Sequence, residues 1–195
     1  MSILKAIYTA YCFLIFLVLF LLLQPLFIIP IIFKKKFRLV GLANRLWAQW
    51  WSVLVIMPYR IEQRARLDKR KQYIFCPNHF SYLDIYSMSL NPHDSIFVGK
   101  SDIESVPLFG FMYRNLHITV DRSKVKSRSQ AIQDSLKAID DGKSLMIFPE
   151  GGIISKNIPE MAAFKDGAFR IAIEKQIEIV PVTIPYNWIV LHPDK

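Results

Sequence analysis

Cysteine is scarce in this chain of 195 residues: Cys12 and Cys76 are too few for a disulfide framework and share no metal-ligand spacing. The four histidines, His79, His93, His117 and His192, likewise show no spacing suited to zinc or iron. A G-x-S-x-G elbow is missing, which argues against a covalent serine mechanism. Internal repeats and low-complexity linkers are also lacking. The length suits one domain with a proper core and is short for two independent domains, so one site is expected.

Charge is missing from Ile7 to Leu23, and the apolar run continues past Pro25 and Pro30 to Phe33. A bilayer crossing takes about 20 apolar helical residues, so the run qualifies. It is too long for a signal peptide and ends in Lys34-Lys35-Lys36, a flank that belongs on the cytoplasmic side. The net charge of +9 is local. Lys34 to Lys71 holds eleven Lys and Arg against Glu62 and Asp68, while the remainder sums to zero. Next to an apolar run, such a patch points to anionic membrane lipids rather than nucleic acid.

Leu46 to Met57, LWAQWWSVLVIM, carries three of the four tryptophans and predicts a second helix at the membrane interface; the alternative is a core helix of the soluble domain. Residues 1–58 are expected to form membrane-anchoring helices and 59–195 a cytosolic α/β domain. The fold class expected is α/β, a mixed sheet flanked by helices behind an N-terminal apolar helical element. Its strands are predicted at Tyr73–Cys76, Ser95–Val98, Leu116–Val120, Leu145–Phe148 and Ile177–Ile184. Helices are predicted at Ser81–Leu90, Ser127–Asp141 with Gly142 as its stop, and Pro159–Gln176. His93 and His192 read as turn residues, and His117 falls within a strand.

The stretch NHFSYLD, Asn78 to Asp84, supports two readings. In one, Ser81 and Asp84 make a helix capping box. In the other, Asp84 holds one ring nitrogen of His79 and leaves the second as a base for a hydroxyl attacking a carbonyl, a contribution of roughly 10² to 10⁴ in rate.

Four blocks in order now resemble the glycerolipid acyltransferases typified by lysophosphatidic acid acyltransferase. The first is the His-x4-Asp motif, Asn78 to Asp84. The second is Pro107-Leu108-Phe109-Gly110 with Val120-Asp121-Arg122, where the family has a phosphate-contacting arginine. The third is Phe148-Pro149-Glu150-Gly151, followed by Phe164 to Arg170, and the fourth is Val180-Pro181-Val182.

The resemblance implies transfer of a fatty acyl group from an acyl carrier protein or coenzyme A thioester to the hydroxyl of lysophosphatidate. No metal or other cofactor is implied, and the carrier thioester is a co-substrate. His79 is the implied base and Asp84 its orienting partner. Arg122, Glu150, Gly151, Lys156 and Lys165 are the implied substrate contacts, with backbone N–H groups beyond Ser81 supporting the oxyanion. The implied location is the membrane, with the catalytic domain on the cytoplasmic face.

This sequence departs from the family where Gly152, Ile153 and Ile154 follow Gly151 in place of the usual Thr, Arg and Ser; isoleucine cannot make a guanidinium's paired bonds to phosphate. Leu116 and Thr119 replace the favoured glycine and phenylalanine. Arg122 with Lys156 or Lys165 supplies the positive charge, or the acceptor is a monoacyl amino-acid lipid without a phosphomonoester. The cluster Arg114, Arg122, Lys124, Lys126 and Arg128 reads either as an anion site or as a solvated face. A non-catalytic membrane-surface module is the reading from a different class. A continuation beyond Lys195 is expected from the family's usual length.

Overall fold

The computed structural model describes residues 3–33 and 36–193. Lys34 and Lys35, on which part of the topology expectation rests, lie outside them. The chain divides into two compact units, one running up to Leu67 and taking in Ser89–Pro92, the other comprising Asp68–Met88 and everything from His93 onward. The break after Leu67 falls within the basic stretch, where no helix or strand intervenes between Met57 and Tyr73.

The first unit is helical. Helix α1 (Ile3–Leu22) is long and apolar enough to cross a bilayer, since 20 residues rising 1.5 Å each span about 30 Å. Pro25, in the first turn of α2 (Gln24–Ile32), restarts the helix, because its missing N–H costs nothing there. Pro30 lies inside α2 with its ring buried. Helix α3 (Arg38–Leu54) turns a face of mostly small residues inward, Val40, Gly41, Ala43, Ala48 and Ser52, so that backbones approach closely. The tyrosines of α1 satisfy carbonyls at the end of α3: Tyr8 donates to Val55 O at 2.7 Å and Tyr11 to Leu54 O at 2.9 Å. Trp51 donates to Cys12 O at 3.2 Å, and Phe16 meets Trp47 edge-on at 4.9 Å. The tryptophan-rich stretch therefore packs with the apolar N-terminal helices.

The second unit is a five-stranded sheet in the order β3-β2-β4-β1-β5, with β1 at Tyr73–Pro77, β2 at Ser95–Lys100, β3 at Ile118–Val120, β4 at Ser144–Ile147 and β5 at Glu178–Val182. Every ladder is parallel, with Ile74 opposite both Leu145 and Ile179. The α/β architecture is the expected one, and its sheet is more uniform than the mixed sheet anticipated. Crossovers explain this: α4 (Leu83–Ser89), α5 (Phe109–Leu116), α6 (Val125–Asp140) and α7 (Gly167–Lys175) lie between successive strands, and a strand rejoined through a helix returns parallel. Burial on both faces explains why β1 and β4 read as continuous apolar runs, with Ile74, Leu145 and Met146 wholly buried.

Two predicted boundaries move by more than two residues or change element type. Leu116 ends α5 instead of opening β3, because Phe109, Met112, Tyr113 and Leu116 follow helical spacing. The close packing of α5 depends on Gly110, where a Cβ would come 2.2 Å from the carbonyl oxygen of Glu104. The helix predicted from Pro159 begins only at Gly167, because residues 159–165 are drawn into the loop beside β4. His117 caps α5 just before β3, and its Nδ1 accepts the N–H of Phe97 at 3.3 Å. His93 lies in the bend between α4 and β2, as expected, and its ring is buried against Tyr73 and Phe75 with ring centroids 5.6 and 5.8 Å away.

Candidate active site

Strands β1 and β4 are neighbours, yet the chain leaves β1 for β2 on one side and β4 for β5 on the other. Oppositely directed connections open a crevice at the carboxyl ends of such a pair, where α/β sheets place ligands. His79 follows β1 and Glu150 follows β4, so the two motif residues meet there.

Asp84 Oδ2 lies 3.1 Å from His79 Nδ1 and accepts the N–H groups of Phe80 at 2.7 Å and Ser81 at 2.8 Å. The bond to Ser81 N–H is the return half of a capping box, and Ser81 Oγ accepts Leu83 N–H at 3.2 Å. The two sequence readings of NHFSYLD thus describe one atom. Asp84 ends the turn and fixes the imidazole, and as an acceptor it selects the tautomer with the proton on Nδ1. Nε2 has no hydrogen-bond partner among the described residues, and the ring stacks on Phe148 with centroids 3.9 Å apart. The N–H groups of residues 83, 84 and 85 are bonded within the turn, which leaves Tyr82 N–H as the one at the helix start with no acceptor among the described residues.

Glu150, expected to face substrate, is instead wholly buried. Its Oε1 accepts the backbone N–H of His79 at 2.7 Å and its Oε2 that of Ala162 at 2.8 Å. It joins the carboxyl ends of β1 and β4 and anchors the loop ahead of α7. That loop is held again where Lys165 N–H donates to Pro149 O at 2.7 Å. Gly151 takes φ of +83°, and a Cβ there would touch the stem of Lys165 at 3.4 Å. Lys165 is exposed beside this turn. Lys156 is also exposed, and no contact brings it to the dyad.

Arg122 follows β3 on the same edge of the sheet. A Cβ at Gly152 would lie 3.0 Å from Arg122 Nη1, so the guanidinium reaches the loop that carries Glu150. It is half-buried, and among the described residues it has no carboxylate within salt-bridge distance. Burial lowers its pKa, opposed by Tyr113 and Asp102. Its neighbours in the basic cluster behave as a solvated face. Lys124 pairs with Asp121 at 2.9 Å and Arg114 with Glu104 at 3.7 Å, while Arg128 donates to Arg122 O at 2.6 Å. The carboxyl of Asp121 is held near 2 by the Ser123 hydroxyl and by Lys124.

The family model described as Acyltransferase matches residues 59–185. The chain belongs to the Acyltransferase family. Among the relatives of this family, a 1-acyl-sn-glycerol-3-phosphate acyltransferase of Chlamydomonas reinhardtii is 30% identical over 176 residues, covering 85% of this chain and 52% of that protein. A lyso-ornithine lipid O-acyltransferase of Rhizobium meliloti is 27% identical, covering 69% of this chain and 48% of that protein. The chain spans about half the length of these curated relatives. The fold matches the crystal structure of the 1-acyl-sn-glycerophosphate acyltransferase PlsC of Thermotoga maritima with a TM-score of 0.63 at 16% identity, over 89% of this chain and 74% of that one.

Sequence reasoning missed two side chains of the site. Asn78 closes a pair of hydrogen bonds with the backbone of Ile184, at 2.9 and 2.7 Å. Asn187, at the start of α8 (Asn187–Val190), reaches the free oxygen of Asp84. Neither has a local signal, because each partner lies about a hundred residues away.

Proposed function

We propose that the chain moves a fatty acyl group from an acyl thioester, on acyl carrier protein or coenzyme A, to the free hydroxyl of lysophosphatidate, giving phosphatidate. The observation that supports this best is the His79 imidazole, pinned through Nδ1 by a buried carboxylate and open at Nε2, at the crevice between β1 and β4. Nε2 takes the proton of the acceptor hydroxyl as its oxygen attacks the thioester carbonyl. Collapse of the tetrahedral intermediate breaks the C–S bond, and the imidazolium returns the proton to the departing sulfur. No acyl-enzyme forms. Ser81, the nearest hydroxyl in sequence, is wholly buried and donates to Leu191 O at 2.7 Å.

Arg122 is the proposed head-group contact, with Lys165 and Lys156 adding positive charge and Gly151 shaping the turn. Residues 1–58 are the proposed membrane anchor and the following domain works on the cytoplasmic face, its basic stretch drawn to anionic lipids. A second acceptor class, monoacyl amino-acid lipids, is favoured by Gly152-Ile153-Ile154, which supplies no guanidinium, and by the similarity to a lyso-ornithine lipid O-acyltransferase.

The test offers membranes containing the protein a labelled acyl thioester with either lysophosphatidate or lyso-ornithine lipid and follows both products by mass spectrometry. Preferential labelling of phosphatidate supports the first acceptor. Labelling of ornithine lipid alone overturns it and keeps acyl transfer.

A further inference from the structure

The carboxylate of Asp84 is wholly buried, and its two oxygens are unequally served. Oδ2 gathers three donors, the His79 ring and the N–H groups of Phe80 and Ser81. Oδ1 has one donor among the described residues, the side-chain amide of Asn187 at 3.0 Å. The same amide nitrogen donates to Ser87 Oγ at 2.8 Å, so α4 holds Asn187 at two points one helical turn apart. An amide is suited to this place, since its NH2 carries two donors and no charge. Asn187 lies beyond the residues matched by the family model, which end at 185.

We propose that Asn187 is a positioning residue for the His79–Asp84 dyad. By occupying Oδ1 it fixes the rotation of the Asp84 carboxylate about its Cβ–Cγ bond and keeps Oδ2 on His79 Nδ1. Without it, a buried carboxylate oxygen is left unsatisfied, a state costly enough to drive the group to turn or admit water. The imidazole then loses its fixed tautomer and the proton acceptor at Nε2 is no longer held. This rests on His79 acting as the base.

The variants Asn187→Ala, Asn187→Ser and Asn187→Asp test it in full-length protein in membranes, beside wild type and His79→Ala. Asn187→Ala is expected to lower kcat by roughly 10-fold or more, within the roughly 10² to 10⁴ that a base contributes, with KM for the acceptor little changed. Asn187→Ser retains a donor and recovers part of the loss. Asn187→Asp places a second carboxyl against Oδ1: protonated, it donates as the amide does; ionised, it repels Asp84. Its activity is therefore expected to fall as pH rises, along a limb that wild type lacks.

A second readout needs no acceptor: the rate at which diethylpyrocarbonate modifies His79, resolved from the other histidines by peptide mass spectrometry across pH. Asn187→Asp is expected to change the pH dependence of labelling at His79 and to leave His192 unaffected. A uniform loss of activity at all pH values with unchanged His79 labelling, or a normal kcat in Asn187→Ala, overturns the proposal. If wild type shows no turnover with either acceptor while the labelling change is seen, the reading of the reaction fails and the role of Asn187 stands.

Discussion

Glu150 Oε1 accepts the backbone N–H of His79 at 2.7 Å, a bond between the ends of two adjacent strands that are 71 residues apart in sequence. With Oε2 bonded to Ala162 N–H and the side chain wholly buried, the work of Glu150 is to fix the backbone that carries the base. Glu150→Gln sets an NH2 group against one of two N–H donors. The expected result is a loss of roughly 1 to 3 kcal/mol in stability, the usual cost of an unsatisfied buried group, together with a fall in kcat. Thermal unfolding and steady-state kinetics on the same preparation check both. Full activity in Glu150→Gln would show that this anchor is dispensable.

The approach of Arg122 to Gly152 makes a second prediction. A side chain at 152 meets Nη1 at 3.0 Å and must also adopt φ of +149°, a conformation that L residues rarely take. Gly152→Thr is therefore expected to push the guanidinium aside and raise KM for an anionic acceptor roughly 10-fold, the worth of a hydrogen bond to a charged group. The same substitution in an Arg122→Ala background should add little, and a double-mutant cycle measures the difference. Additive effects would separate Gly152 from Arg122.

His117 sets a dependence of stability on pH. Burial pushes its pKa down to about 3, and its Nδ1 accepts the Phe97 N–H, a bond that protonation of Nδ1 removes. The unfolded chain, with a histidine pKa of about 6.5, binds this proton more readily than the folded one. Stability is then fully present above about pH 6.5 and declines as pH falls toward 3, by at most about 1.4 kcal/mol per pH unit. His117→Gln should flatten denaturation midpoints measured between pH 7 and 4.5. An unchanged slope would assign the acid sensitivity to other groups.

Cys76, at the end of β1, is a thiol whose pKa burial pushes up to about 11. At pH 8 about one part in 10³ is thiolate, so alkylation of the folded protein should be slow and should accelerate on unfolding. Peptide mapping separates it from Cys12. Rapid labelling of Cys76 in folded protein would contradict its burial.

Much of this was legible in the sequence because it is local. His79 and Asp84 are close along the chain, and the strands β1 and β4 are apolar runs that a parallel sheet buries on both faces. The helix α5 was lost because its apolar spacing runs straight into the β-branched residues of β3. Glu150 was placed at the site with the wrong partner: sequence put it after a strand, but only the strand order brings β4 beside β1 and aims its carboxylate at the His79 backbone. Asn187 was out of reach, since nothing near PYNW announces a partner 103 residues earlier.

A non-catalytic membrane module and an enzyme differ in what salt and substrate do to them. Washing membranes at high ionic strength should leave the protein bound, since α1 is an apolar helix and not a charged patch, whose attraction salt screens. Release into the wash would indicate surface attachment by the basic stretch.

The central claim is that His79 is the base. The most direct measurement compares phosphatidate formation from lysophosphatidate and an acyl thioester by wild type and His79→Ala, in membranes matched for folded protein. The expected result is product from wild type and a fall of roughly 10² or more in the variant. Near-normal turnover by His79→Ala would contradict it.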